Sequence, residues 1–148
     1  MGAWLLDVNV LIATLWPPHD FHDSAMKWIL AHRSEPWATC ALTETGFLRV
    51  VTGRGFSEFA PSFEEAAEML ILDKQARGSH CFWPSEVSCE DLLSTFGDRI
   101  SGHQQITDAY LLALAMHHGG RLLTFDQRMS RLAPEGTPEA SALFILAP

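Results

Sequence analysis

Ala3-Trp4-Leu5-Leu6-Asp7-Val8-Asn9 carries the pattern that decides the fold. Four apolar residues run without interruption into a carboxylate, too few for a helix and lacking the alternation of a strand wetted on one face. A short continuous run of this kind fits a strand buried on both faces, as in a parallel sheet. Working outward, Asn9 to Leu15 reads as a short helix stopped at Trp16-Pro17-Pro18, because proline lacks an amide donor and restricts its predecessor. The strand pattern returns at Trp37-Ala38-Thr39-Cys40, at Cys81-Phe82-Trp83 before Pro84, at Arg121 to Phe125 before Asp126, and from Ala142 to Leu146.

Helical stretches separate these strands. Phe21 to about His32 places Ala25, Trp28 and Ile29 at helical spacing. Thr43-Glu44 opens a helix through Phe47, Leu48 and Val51, followed by a loop at Thr52-Gly53-Arg54-Gly55-Phe56. Ser62-Phe63-Glu64-Glu65 has the form of an N-cap with acids in the first turn. Cys89 to Phe96 is a short helix ended by Gly97, and Ile106 to His118 is apolar nearly all round, as a central helix covered on most sides would be. Strands alternating with helices imply right-handed crossovers, and the expected fold is α/β: a three-layer α/β/α sandwich around a mostly parallel sheet of four to five strands.

Composition fits one domain spanning residues 1–148. The chain is 47% hydrophobic and 19% charged, too apolar to remain disordered, and its length is that of a single core. No apolar run approaches the about 18 residues of a membrane span. The N-terminus has no basic leader region, Asp7 interrupts any apolar one, and Leu6 stands where a myristoylation signal needs Ser or Thr. Cys40, Cys81 and Cys89 show no CxxC spacing and read as buried free thiols. A cytoplasmic protein without membrane attachment is therefore expected. Eighteen acids against ten Lys and Arg give a net charge of −8, which disfavours binding nucleic acid through a general basic surface.

In an open parallel sheet the functional crevice lies beyond the carboxyl ends of the strands. Four acids fall there: Asp7 after the first strand, Glu44 at the helix after the second, Asp108 at the start of the central helix and Asp126 after the fourth strand. Asn9, Thr43, Thr107 and Thr124 lie beside them as supporting polar groups. Acids at helix starts also serve as caps and complement the helix dipole, for roughly 0.3–1 kcal/mol each, so Glu44 and Asp108 taken singly have a structural reading as well. Asp7, between Leu6 and Val8 at the end of a buried strand, is costly unless something offsets its charge. Converging acids raise one another's pKa unless a cation sits among them, and oxygen-only ligands favour Mg²⁺ or Mn²⁺ over Zn²⁺.

Other chemistries find less support. His19 and His22, and the neighbours His117 and His118, lack a third Cys or His at zinc-site spacing and read as surface or helix-end residues. There is no GxSxG elbow, P-loop or GxGxxG fingerprint. Trp4, Trp16, Trp28, Trp37 and Trp83 read as packing residues rather than base-stacking platforms.

Four short motifs in order, Leu5 to Ile12, Thr43-Glu44 with Arg49, Ile106-Thr107-Asp108-Ala109, and Leu123-Thr124-Phe125-Asp126, resemble the PIN domain family, and within it the VapC toxins of bacterial toxin–antitoxin pairs. The resemblance covers nearly the whole chain, with Ser57 to Arg99 contributing little. It implies a metal-dependent endoribonuclease on a parallel α/β/α sandwich, homodimeric and neutralised by a cognate VapB-like antitoxin with a basic segment. It places Asp7 and Asp108 as the principal Mg²⁺ or Mn²⁺ ligands, Glu44 and Asp126 as the other two acids, and Asn9 as a supporting polar residue. Hydrolysis leaving a 5′-phosphate and a 3′-hydroxyl is the implied chemistry. Arg49, Arg54, Arg128 and Arg131 could contact the RNA backbone, or serve only as surface charges. Two other classes remain open: a catalytically silent PIN-like binding module, and a receiver-type phospho-accepting domain, which lacks a lysine near the fifth strand here.

Overall fold

Trp4–Leu6 forms β1, and its side chains divide between the two faces of the sheet. Trp4 and Leu6 enter one apolar cluster, whereas Ala3 and Leu5 enter the other. The two-residue period of a strand therefore explains why the run is apolar throughout. The computed structural model describes residues 2–148; Met1, where the leader reading and the proposed domain begin, lies outside the described residues.

The remaining elements are α1 (Val8–Leu15), α2 (His22–Ala31), β2 (Trp37–Cys40), α3 (Ala41–Val51), α4 (Phe63–Arg77), β3 (His80–Trp83), α5 (Cys89–Phe96), α6 (Gln104–His117), β4 (Arg121–Thr124), a 3-10 helix (Gln127–Leu132), α7 (Pro138–Ser141) and β5 (Leu143–Ile145). The sheet order is β3-β2-β1-β4-β5, and every pairing is parallel. Helices α1 to α4 cover one face through Leu11, Trp28, Phe47 and Leu70, and α5 and α6 cover the other through Phe96, Leu111, Leu112 and Ala115. This is a three-layer α/β/α sandwich.

The chain moves from β1 to β2 on one side and returns to β4 on the other. The switch point therefore lies between β1 and β4, and a crevice opens beyond their carboxyl ends. Helix boundaries follow side-chain chemistry. Ser62 Oγ accepts from the Glu65 amide at 3.2 Å while Glu65 Oε1 accepts from the Ser62 amide at 3.0 Å, closing the expected capping box. Gly119, at φ +63°, turns the chain out of α6 in a conformation that disfavours other residues.

Several expectations shift. Helix α3 begins at Ala41 rather than Thr43, because the buried Thr43 hydroxyl accepts the Cys40 amide at 3.0 Å and closes the first turn from within. Helix α6 begins at Gln104, since a polar first turn gave no apolar period; Asp108 accordingly sits in the second turn. Ile106 is exposed, and the fully buried positions of α6 begin at Ala109. Cys40 is buried and Cys81 partly so, but Cys89, at the solvent-facing start of α5, is exposed. Among the described residues no helix is long and apolar enough to cross a membrane.

Candidate active site

Asp7 is built into the fold by its own backbone and both carboxylate oxygens. Its amide donates to Leu123 O at 3.0 Å, extending the β1–β4 pairing by one residue. Oδ1 accepts the Val8 amide at 2.7 Å, capping α1, and Oδ2 accepts the Thr124 hydroxyl at 2.7 Å. Asn9 Nδ2 donates to Thr124 Oγ1 at 3.1 Å, and Asn9 Oδ1 accepts the Phe125 amide at 3.1 Å. Thr124 Oγ1 also accepts the Asp126 amide at 3.1 Å. One hydroxyl at the end of β4 thus ties the first and last acids together, and the short polar residues flanking the acids act as a brace.

Asp126 caps the 3-10 helix and is clamped by Arg128. Its Oδ1 accepts the Arg128 amide at 2.9 Å and Nε at 3.0 Å, while Oδ2 accepts a terminal guanidinium nitrogen at 3.0 Å. Asp108 reaches the same place from α6. It lines a cleft of about 390 Å³ with Ser101, His103, Gln104, Arg128 and Arg131.

The ionisation of the three acids reports their shared surroundings. Burial pushes the Asp7 carboxyl above its ordinary range, against the hydrogen bonds from Thr124 and Val8, and the charge of Asp126 adds to the push. Asp108 is pushed up to about 6, first by partial burial, then by Asp7 and Asp126, with Arg128 opposing. Asp126 is held below the ordinary carboxylate range, chiefly by its hydrogen bond from Arg128. The guanidinium is a resident counter-ion for one acid, while Asp7 and Asp108 remain short of positive charge.

Glu44, expected in the same pocket, is engaged elsewhere. Its Oε1 accepts the Thr39 hydroxyl at 2.6 Å and Lys74 Nζ at 2.7 Å, and His80 Nε2 lies 2.8 Å from the same hydroxyl. Gly46 marks the face of α3 that meets α1: a Cβ there would stand 2.6 Å from Val8 Cγ2. Glu44 precedes Gly46 by two residues, about 200° around the helix, so its side chain leaves from the opposite face. Asp7 and Asp126 are joined through Thr124, and Asp108 lies near enough for both charges to act on it, although the three carboxylates do not all come within 4.8 Å of one another; Glu44 bonds instead to residues of β2 and α4. Lys74 lies 30 positions away, and no local spacing in the sequence signals the pair.

Other expected residues are distributed unevenly. Thr43 is buried and serves the α3 start, and Thr107 is exposed beside Asp108. Arg49 and Arg54 are exposed, and Arg131 joins Arg128 at the cleft. The clamp of Arg128 on Asp126 went unread; the two-residue spacing after a strand end is its only sequence signal. Three carboxylates form a hard, oxygen-only donor set, which fits magnesium or manganese. Asp7 Oδ2 also accepts from Asn9 Nδ2 at 3.5 Å, so Oδ1, which accepts only the Val8 amide, is the oxygen that retains acceptor capacity.

The family model of the PIN domain matches residues 4–134, a span that contains all four acids. The chain belongs to the PIN domain family. Among its relatives, Ribonuclease VapC39 of Mycobacterium tuberculosis (strain ATCC 25618 / H37Rv) is 39% identical over 137 residues, covering 91% of this chain and 96% of the relative. Ribonuclease VapC44 of the same strain is 40% identical over 132 residues, covering 89% and 92%. Ribonuclease VapC38 is 40% identical over 131 residues, covering 88% and 90%. Within the PIN family the chain is thus of VapC type, and α7 and β5 lie beyond the matched span.

Proposed function

We propose that this chain is a metal-dependent endoribonuclease, the toxin of a toxin–antitoxin pair, acting as a single PIN-like domain over residues 1–148. The observation that supports this reading is that Thr124 joins Asp7 to Asp126 beyond β1 and β4, with Asp108 near enough that burial and these two acids push its carboxyl up to about 6. A pocket with surplus negative charge at neutral pH suits a divalent cation better than any neutral ligand. Asp7, Asp108 and Asp126 are the residues that would hold Mg²⁺ or Mn²⁺. When bound, such an ion supplies a lowered pKa for water and neutralisation of charge developing on phosphoryl oxygens. Glu44 is left out of this set because the acids that push Asp108 up are Asp7 and Asp126, while Glu44 Oε1 is paired with Lys74.

The chain's own residues supply position and charge. Thr124 and Asn9 both donate to Asp7 Oδ2 and hold the carboxylate in one orientation. Arg128 and Arg131 bring positive charge to the cleft beside Asp108, where an RNA phosphate could be received in an otherwise acidic protein. Arg128 then has two partners, Asp126 and the phosphate, and its exposure leaves it able to move between them. The net charge of −8 favours a VapB-like antitoxin with a basic segment, and the exposed apolar residues Phe59, Phe63 and Leu72 support protein contacts, including a homodimer. A cytoplasmic location follows from the same reading.

Cleavage of a panel of structured RNAs tests the proposal, comparing wild type and Asp108→Asn with Mg²⁺, with Mn²⁺ and with chelator. Activity restricted to wild type with a divalent ion is the expected result. Equal cleavage by the variant, or undiminished cleavage with chelator, overturns it.

A further inference from the structure

Glu86, His117 and His118 are separated in sequence by 31 residues but meet in space, and one potential ligand atom from each lies within 4.8 Å of the others. His117 closes α6, His118 caps it, and Glu86 lies between β3 and α5. His117 Nε2 and Glu86 Oε2 stand 2.9 Å apart. The His118 ring stacks on Trp83 at 4.3 Å and 10°, so its plane is fixed, and its Nε2 is buried without a hydrogen-bond partner. A buried nitrogen without a partner, on a ring whose neighbours are a carboxylate and a second imidazole, calls for an electrophile.

We propose that Glu86, His117 and His118 form a binding site for a transition-metal dication of the zinc class. Two imidazoles and one carboxylate are a donor set that Zn²⁺ accepts and Mg²⁺ does not favour. Ligand atoms on one tetrahedral zinc stand about 3.3–3.5 Å apart, so the His117–Glu86 pair needs to open by only about half an ångström. The carboxyl end of α6 adds the negative pole of its dipole. Asp108 and His117 lie nine residues apart on α6, about 13.5 Å along its axis, so this site is distinct from the acidic crevice and does not depend on the ribonuclease reading. A bound ion would staple the β3–α5 loop to the end of α6.

The test is a Zn²⁺ titration by calorimetry on tag-free protein, repeated with Co²⁺ by visible absorption. Wild type, Asp108→Asn, Glu86→Gln and His117→Gln are compared; Glu86 and His117 are exposed, so their replacement leaves the core intact. The site is read as Zn²⁺ binding that persists in Asp108→Asn, in which the acidic crevice is impaired, with Tm rising by several degrees on addition of Zn²⁺. Glu86→Gln and His117→Gln are expected to lose at least tenfold in affinity and the thermal gain. No saturable binding by wild type, or equal binding by these two variants, overturns the proposal.

Discussion

Asp108 and Glu44 occupy similar places, each in the early turns of a helix beside the sheet, yet their surroundings differ completely. Glu44 has a lysine at 2.7 Å and a threonine hydroxyl at 2.6 Å. Asp108 has two further acids acting on it, with only the distal effect of Arg128 in its favour. One carboxylate is neutralised inside the fold, and the other has acidic neighbours whose charge Arg128 offsets only in part. The contrast separates an acid that holds elements together from acids that are proposed to hold a cation.

Activity breaks the comparison most sharply. Asp108→Asn is expected to lower RNA cleavage by about 100-fold or more, equivalent to roughly 2.7 kcal/mol of transition-state stabilisation, while Glu44→Gln stays within about fivefold of wild type. Single-turnover cleavage rates at saturating Mg²⁺ check this; equal losses would return Glu44 to the catalytic set. Arg128→Ala should sharpen the picture of the crevice. Freed of its guanidinium, Asp126 becomes more available, so half-saturating Mg²⁺ should fall several-fold while KM for RNA rises, as read from cleavage rates at varied ion and substrate.

Stability in chelator gives a smaller effect with a defined sign. Asp108 has a raised folded-state pKa, so its contribution to stability is present at low pH and is lost as pH rises through about 6. Asp108→Asn should therefore melt above wild type at about pH 8. The gain is about 1 kcal/mol after solvent screening, or roughly 2–4 °C, and it should vanish near about pH 4. A gain that persists at low pH would make Asp108 an ordinary packing residue. The smallest expected effect lies in the Glu44 cluster. Glu44→Gln leaves Lys74 unpaired and should cost about 1 kcal/mol, of which adding Lys74→Met restores part, in a double-mutant cycle by denaturant unfolding.

The same contrast shows what the sequence made legible. Asp7 stands out because a charge at the end of an uninterrupted apolar run has few structural uses, and the strand order then carries Asp126 to the adjacent strand end. Asp108 is legible through the long apolar helix that follows it. Glu44 has the same local signature as Asp108, but its fate depends on Thr39 and Lys74, and on which side of α3 faces α1, a matter of helix rotation set by the small Gly46 against Val8. Local spacing carries no record of such long-range pairings. The starts of α3 and α6 were misplaced for a related reason: their first turns are closed by side-chain hydrogen bonds or by polar residues without periodicity. Glu86 escaped notice because neither its neighbours nor its spacing connect it with His117 and His118.

The most direct test of the partly compensated pocket is a carboxyl NMR titration of Asp108, in chelator and with saturating Mg²⁺. The account expects a pKa of about 6 without the ion, moving part-way toward the ordinary range in Asp126→Asn and falling clearly when Mg²⁺ is added. An ordinary carboxylate value that neither Asp126→Asn nor Mg²⁺ moves would contradict it.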